Sequence, residues 1–150
     1  MSELIVVGVD GSAEAAAALD YAATEAAHRG ARLRVVTVSQ EAEYWAARSG
    51  MARRGVPPPE VDFESVALQV AQDAVNAFAT KHPELANKVE LEIVAVVGHP
   101  ATELVELSRD ADLLVVGHRG KSAIASTFLG SVGLSCVQHA HCPVTIVRPS

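Results

Sequence analysis

Asp112-Leu113-Leu114-Val115-Val116-Gly117-His118-Arg119-Gly120-Lys121-Ser122 joins an unbroken apolar run to a loop carrying two glycines and two cations. A run without polar alternation marks a strand covered on both faces, as in the centre of a parallel sheet. Leu4 to Val9 is a second such run, and Leu33 to Val38 reads as another strand. Val89-Glu90-Leu91-Glu92-Ile93 alternates apolar and acidic residues, so one of its faces is wet and it belongs at an edge. Pro143 to Arg148 opens on a proline, which also suits an edge. Helical segments separate these strands. Ser12 offers an N-cap with Glu14 in the first turn, and the alanine-rich stretch to Ala27 ends at His28-Arg29-Gly30. Ser65 to His82 places Val66, Val70, Ala74 and Ala77/Phe78 on one face and stops at Pro83. Pro100 to Ser108 and Ser131 to Ala140 are shorter helices. Strands joined by helical crossovers give an α/β fold: a three-layer, open, parallel five-stranded sheet with helices on both faces. A ligand then binds at the carboxyl ends of the strands, where strand order reverses. The first and fourth strands read as the most buried. The crevice is expected between them, walled by the loops after Val9 and Val116.

The chain's 150 residues fit one domain, residues 1–150. Hydrophobic residues at 49% and charged ones at 20% exclude a disordered chain. A net charge of −6 argues against non-specific binding to nucleic acid or an anionic membrane. Aromatic residues at 4% leave no stacking platform for single strands. Two cysteines are too few for a disulfide framework and indicate a reducing compartment. The amino terminus lacks a basic n-region, and no stretch approaches the roughly 20 apolar residues of a membrane span. The expectation is a soluble, cytoplasmic protein.

Two familiar phosphate-binding patterns are absent. Gly120-Lys121-Ser122 resembles the end of a P-loop, but the required upstream glycine is Val115. Neither this loop nor Gly8-Val9-Asp10 fits the dinucleotide fingerprint. The loop is still suited to an anion. Gly117 and Gly120 permit close backbone approach and positive φ, and Arg119 and Lys121 bring positive charge to an acidic chain. Gly130-Ser131 opens a helix, whose free N–H groups and dipole favour a phosphate, with the Ser131 hydroxyl as a further donor. On spacing alone these glycines serve a phosphate cradle or plain turns.

Gly117-x2-Gly120-x9-Gly130-Ser131 matches, without a gap, the G-x2-G-x9-G-[ST] signature of the universal stress protein family. Resemblance to that family extends through Val7-Gly8-Val9-Asp10-Gly11-Ser12, Val97-Gly98-His99-Pro100 and Cys142-Pro143-Val144-Thr145-Ile146-Val147-Arg148. It implies the strand order 3-2-1-4-5 and membership of the ATP-binding subgroup, with Mg²⁺ arriving with the nucleotide. It also implies a site. Asp10 would lie near adenine and ribose, with Gly8 at a small-residue position near the base. Val38 would contact the adenine. Gly117 and Gly120 would line ribose and phosphates beside Arg119 and Lys121, and Gly130, Ser131 and Val132 would take the phosphates. Where many nucleotide-binding members carry a second hydroxyl residue, this chain has Gly133. That removes a phosphate donor and favours AMP or cyclic AMP as the alternative ligand, or it serves packing. The family further implies a homodimer through the last strand.

The function expected from this resemblance is a nucleotide-responsive regulator in stress or growth arrest, acting on a protein partner the sequence does not identify. Hydrolysis should be slow, because no general base beyond Asp10 and no acidic metal pair is evident. A dimerisation module whose glycine loop is only a turn is the competing account. Other residues have plainer readings. Asp10 before Gly-Ser is common turn chemistry. Cys136, His139, His141 and Cys142 cluster in sequence, but their spacing matches no standard zinc pattern. His118 either contacts the ligand or is a solvated loop residue. Tyr44 and Trp45 in the long 40–60 segment either cover a base or anchor that segment.

Overall fold

The two unbroken apolar runs become the middle of the sheet. The computed structural model describes residues 2–41, 49, 54–55, 60–119 and 129–149. Strands β1 (Leu4–Gly8), β2 (Arg32–Ser39), β3 (Leu91–Val97), β4 (Leu113–Gly117) and β5 (Val144–Val147) form one sheet in the order β3-β2-β1-β4-β5. Every pairing is parallel, with Val7 opposite both Val35 and Val115. Helices α1 (Ala13–Arg29), α2 (Phe63–Lys81), α3 (Pro83–Lys88), α4 (Pro100–Leu107) and α5 (Ser131–His139) complete the layers. Ile5, Val7, Leu33, Val35 and Val115 face the layer of α1, α2 and α3. Leu4, Val6, Val36, Leu114 and Val116 face the layer of α4 and α5. Each fully buried valine or leucine here contributes about 1.5–3 kcal/mol. The three-layer expectation and the strand order both hold.

Two helices differ from their sequence reading. The apolar face of α2 keeps Phe78 buried and Ala74 against the core as expected, but in its first half Ala67 and Ala71 are buried, whereas Val66 is 47% exposed. Alanine at these two contacts lets that half of the helix lie close to the sheet. The helix also starts earlier, at Phe63, because the Asp62 side chain accepts a hydrogen bond from the Ser65 N–H at 3.1 Å. Pro83 does end α2, but it also occupies the first turn of α3, where its missing N–H costs nothing.

Polar groups fix the amino ends of the strands. The Leu4 N–H donates to Asp112 Oδ2 at 2.8 Å and the Asp112 N–H to the Leu4 carbonyl at 2.8 Å, tying β1 to β4. Glu92 is exposed on the edge strand, as its alternation implies, and pairs with Arg34 directly opposite on β2 at 2.6 Å. Among the described residues, no helix is long and apolar enough to cross a membrane.

Candidate functional site

β1 lies between β2 and β4, so successive connections leave it in opposite directions and open a crevice at the carboxyl ends of β1 and β4. Gly8-Val9-Asp10-Gly11-Ser12 forms one wall. The Val9 N–H donates to the Val36 carbonyl at 2.8 Å, which extends the sheet past Gly8. Asp10 Oδ1 then accepts from the Ser12 N–H at 3.0 Å, and Ser12 Oγ accepts from the Ala15 N–H at 3.1 Å. Gly11 between them has φ 86°, a left-handed conformation that L side chains rarely adopt. These linked turns hold Asp10 at the end of β1 and start α1. The turn reading of Asp10 is therefore real geometry, and a ligand role would be added to it.

The opposite wall follows β4. Gly117 does not adopt a positive φ, contrary to the sequence expectation. Its small size serves close packing instead: a Cβ there would sit 3.0 Å from the Glu14 carbonyl carbon and oxygen. The His118 N–H donates to the Val147 carbonyl, and the Gly130 N–H to the His118 carbonyl, each at 2.9 Å. The two ends of the glycine loop are thus pinned together beside β4. Gly130 is the N-cap of α5 and supplies no side-chain capping bond, so the first-turn N–H groups of Ser131, Val132 and Gly133 are left for another acceptor. Ser131 is exposed, and Val132 is half-buried against the α4–α5 layer. A Cβ on Gly133 would come 2.8 Å from Leu129 Cδ1, which supports the packing account of that glycine.

Among the expected site residues, Gly8, Asp10, Val38, Gly117, Arg119, Gly130, Ser131 and Val132 lie at or just beyond the carboxyl ends of β1, β2 and β4. Arg119 is half-buried and engaged in its own interaction. Gly120 and Lys121 lie outside the described residues, as do Tyr44 and Trp45. Sequence reading missed Glu14 and Leu104 as neighbours of this crevice. Leu104 covers Gly8, where a Cβ would come 2.9 Å from Leu104 Cδ1. The signal was the Gly98-His99-Pro100 turn, which fixes the start of α4 and hence the reach of its second turn.

The Cys136 thiol is fully buried, and burial, with a smaller effect of Cys142, pushes it up to about 11. The Cys142 thiol is also raised, by burial first and by Asp112 second. Both stay protonated near neutral pH, so neither is a ready nucleophile or metal ligand. Among the described residues, no group of three His, Cys, Asp or Glu side chains is arranged to hold a metal.

An open, parallel five-stranded α/β sheet in the order β3-β2-β1-β4-β5, with helices on both faces, defines the fold class. The universal stress protein family model matches residues 1–148, and the chain belongs to that family. A universal stress protein of Mycobacterium tuberculosis is 36% identical over 147 residues, covering 96% of this chain and 47% of the relative. The chain spans about half the length of the curated relatives it matches. The universal stress protein UspA from Lactobacillus plantarum superposes with a TM-score of 0.72 at 23% identity, covering 97% of each chain, which supports the fold. A universal stress protein solved in complex with cAMP is 33% identical with a TM-score of 0.62, covering 97% of this chain and 95% of that one.

Proposed function

We propose that this chain binds an adenine nucleotide in the crevice between β1 and β4 and acts as an ATP-binding, nucleotide-responsive regulator in stress or growth arrest. The observation that carries this reading is the uncapped first turn of α5, held beside the end of β4 by the hydrogen bond from the Gly130 N–H to the His118 carbonyl. Unsatisfied N–H groups at a helix start favour a phosphate. The cAMP complex of a relative at 33% identity supports adenine as the base. Gly130, Ser131 and Val132 take phosphate oxygens, with Arg119, Gly120 and Lys121 beside them. Asp10 faces ribose, Gly8 and Val38 face the base, and Gly117 lines the floor. Mg²⁺ accompanies a triphosphate, and hydrolysis is slow at most. Occupancy biases the surface around the crevice, which a protein partner reads.

A second reading is a sensor of AMP or cyclic AMP. Gly133 favours it by offering no hydroxyl donor in the first turn, and the cAMP-bound relative points the same way. Calorimetric titration of ATP, AMP and cyclic AMP separates the two. The first reading expects ATP to bind most tightly; tighter AMP or cyclic AMP selects the second. Absence of binding by all three, in folded protein, removes both.

We also propose a homodimer through β5. This strand is at the sheet edge, and on the adjacent α5 Leu134 and Val137 are 47% and 53% exposed, an apolar pair one turn apart. Antiparallel pairing of two β5 strands removes both edges, and the second copy covers these side chains. Light scattering is expected to give twice the 15.7 kDa chain mass, falling to one chain mass in Val137→Asp. A monomer at tens of micromolar wild-type protein rules this out.

A further inference from the structure

We propose, resting on the nucleotide and dimer readings above, that the two events are coupled through β5: a bound nucleotide tightens the pairing of two copies, and pairing tightens the nucleotide. One peptide unit joins the two sites. The His118 N–H donates to the Val147 carbonyl at the end of β5, and the His118 carbonyl accepts from the Gly130 N–H at the start of α5, each at 2.9 Å. The exit of β4 thereby holds β5 and α5 at one point. The first turn of α5 also lies on β5, since a Cβ on Gly133 would come 3.5 Å from Ile146 Cδ1. Val132, Val144 and Ile146 pack against a single apolar cluster with Leu114 and Cys136. The N–H groups proposed to take the phosphate and the exposed Leu134 and Val137 therefore share one nine-residue helix, seated on the strand that forms the subunit edge.

That strand is lightly anchored. β5 is the shortest of the five, with four residues, none fully buried, whereas the first four residues of β4 beside it are all buried. It pairs with the sheet on one side alone, through β4. An edge strand with few buried contacts opens locally at lower cost than the centre of the sheet. Closed, β5 holds the His118 peptide and the first turn of α5 in one arrangement; open, it releases both. A nucleotide held by the Ser131, Val132 and Gly133 N–H groups binds the closed form better, and so does a second copy pairing along β5. Two ligands that favour the same state of one element reinforce each other, and linkage makes the factor equal in both directions. Coupling of this kind is ordinarily about 5-fold to 150-fold.

The test uses ATP and, in parallel, cyclic AMP as probes on wild type and on Val137→Asp, with thermal melts confirming that the variant is folded. Val137 lies near the carboxyl end of α5, opposite the proposed phosphate contacts. Sedimentation equilibrium of wild type is expected to show the dimer Kd tightening about tenfold at saturating nucleotide. Nucleotide affinity measured well above and well below that Kd is expected to differ by the same factor. In the monomeric variant, hydrogen exchange of the Val144–Val147 amides is expected to slow on adding nucleotide, although β5 lies outside the proposed contacts. A nucleotide that binds yet leaves the dimer Kd within about twofold, or β5 exchange in the monomer unchanged, overturns the coupling and leaves the site standing. Wild type that binds nucleotide but sediments at one chain mass at every concentration removes the dimer reading and the coupling together. Protein that pairs but binds neither probe removes the nucleotide reading, and the coupling with it.

Discussion

Gly117→Val is expected to destabilise the protein by about 3 kcal/mol and to abolish nucleotide binding. The position tolerates no Cβ at normal distance, because one would lie 3.0 Å from the carbonyl carbon, carbonyl oxygen and Cβ of Glu14. Two of those three atoms are backbone, and they belong to a turn that is tied down. Ser12 caps it at 3.1 Å and the Asp10 carboxylate holds Ser12 at 3.0 Å. Relief would have to come from shifting the start of α1, which strains those bonds, or from bending β4 away from β1. Gly117→Ala sets two effects against each other. Overpacking costs about 1–3 kcal/mol, while restricting the unfolded chain returns about 0.4–1 kcal/mol. The net expectation is a loss of about 1 kcal/mol, and Gly117→Val loses more because it adds branching at the same contact. Urea titration of both variants measures this through the midpoint at unchanged slope. An alanine variant as stable as wild type would show that α1 can retreat freely, and the close-packing account would go. Binding should suffer more than stability, since any retreat of α1 displaces Asp10 and Ser12 together.

That prediction also shows where the sequence was readable. Apolar runs identified β1 and β4 as central, since burial on both faces leaves no room for polar alternation. Ser12 was recognisable as a cap because its bond is local, to Ala15 three residues on. The order of strands came from family resemblance, as periodicity alone does not rank neighbours. What stayed hidden was contact between distant segments. Gly117 suggested positive φ from composition alone, yet its constraint comes from Glu14, more than a hundred residues earlier. The helix read over 65–82 was found over 63–81 with Phe78 buried as expected, but Ala67 and Ala71, not Val66, take the buried positions of its first half.

Asp10 is the position where a structural and a ligand role must be separated by experiment, and two substitutions do so. Asp10→Asn keeps a side-chain oxygen that can accept the Ser12 N–H, so the turn and the stability are expected to stay within about 0.5 kcal/mol of wild type. It replaces the second carboxylate oxygen by an amide nitrogen and removes the charge. If that carboxylate accepts from ribose hydroxyls, ATP affinity falls about tenfold in a protein whose unfolding curve is unchanged. Asp10→Ala removes both functions: stability drops by about 1 kcal/mol as the Ser12 N–H loses its acceptor, and affinity drops on the order of 100-fold. Calorimetry for binding and urea titration for stability, run on the same preparations, give the comparison. If Asp10→Asn binds ATP as tightly as wild type, and Asp10→Ala loses affinity only in proportion to its lost stability, then Asp10 is a turn residue alone. The result expected here is the opposite one, a loss of binding without a loss of fold. The linked bonds through Asp10, Ser12 and Ala15 fix the orientation of this carboxylate at the end of β1, which is why the turn and the binding have to be measured side by side.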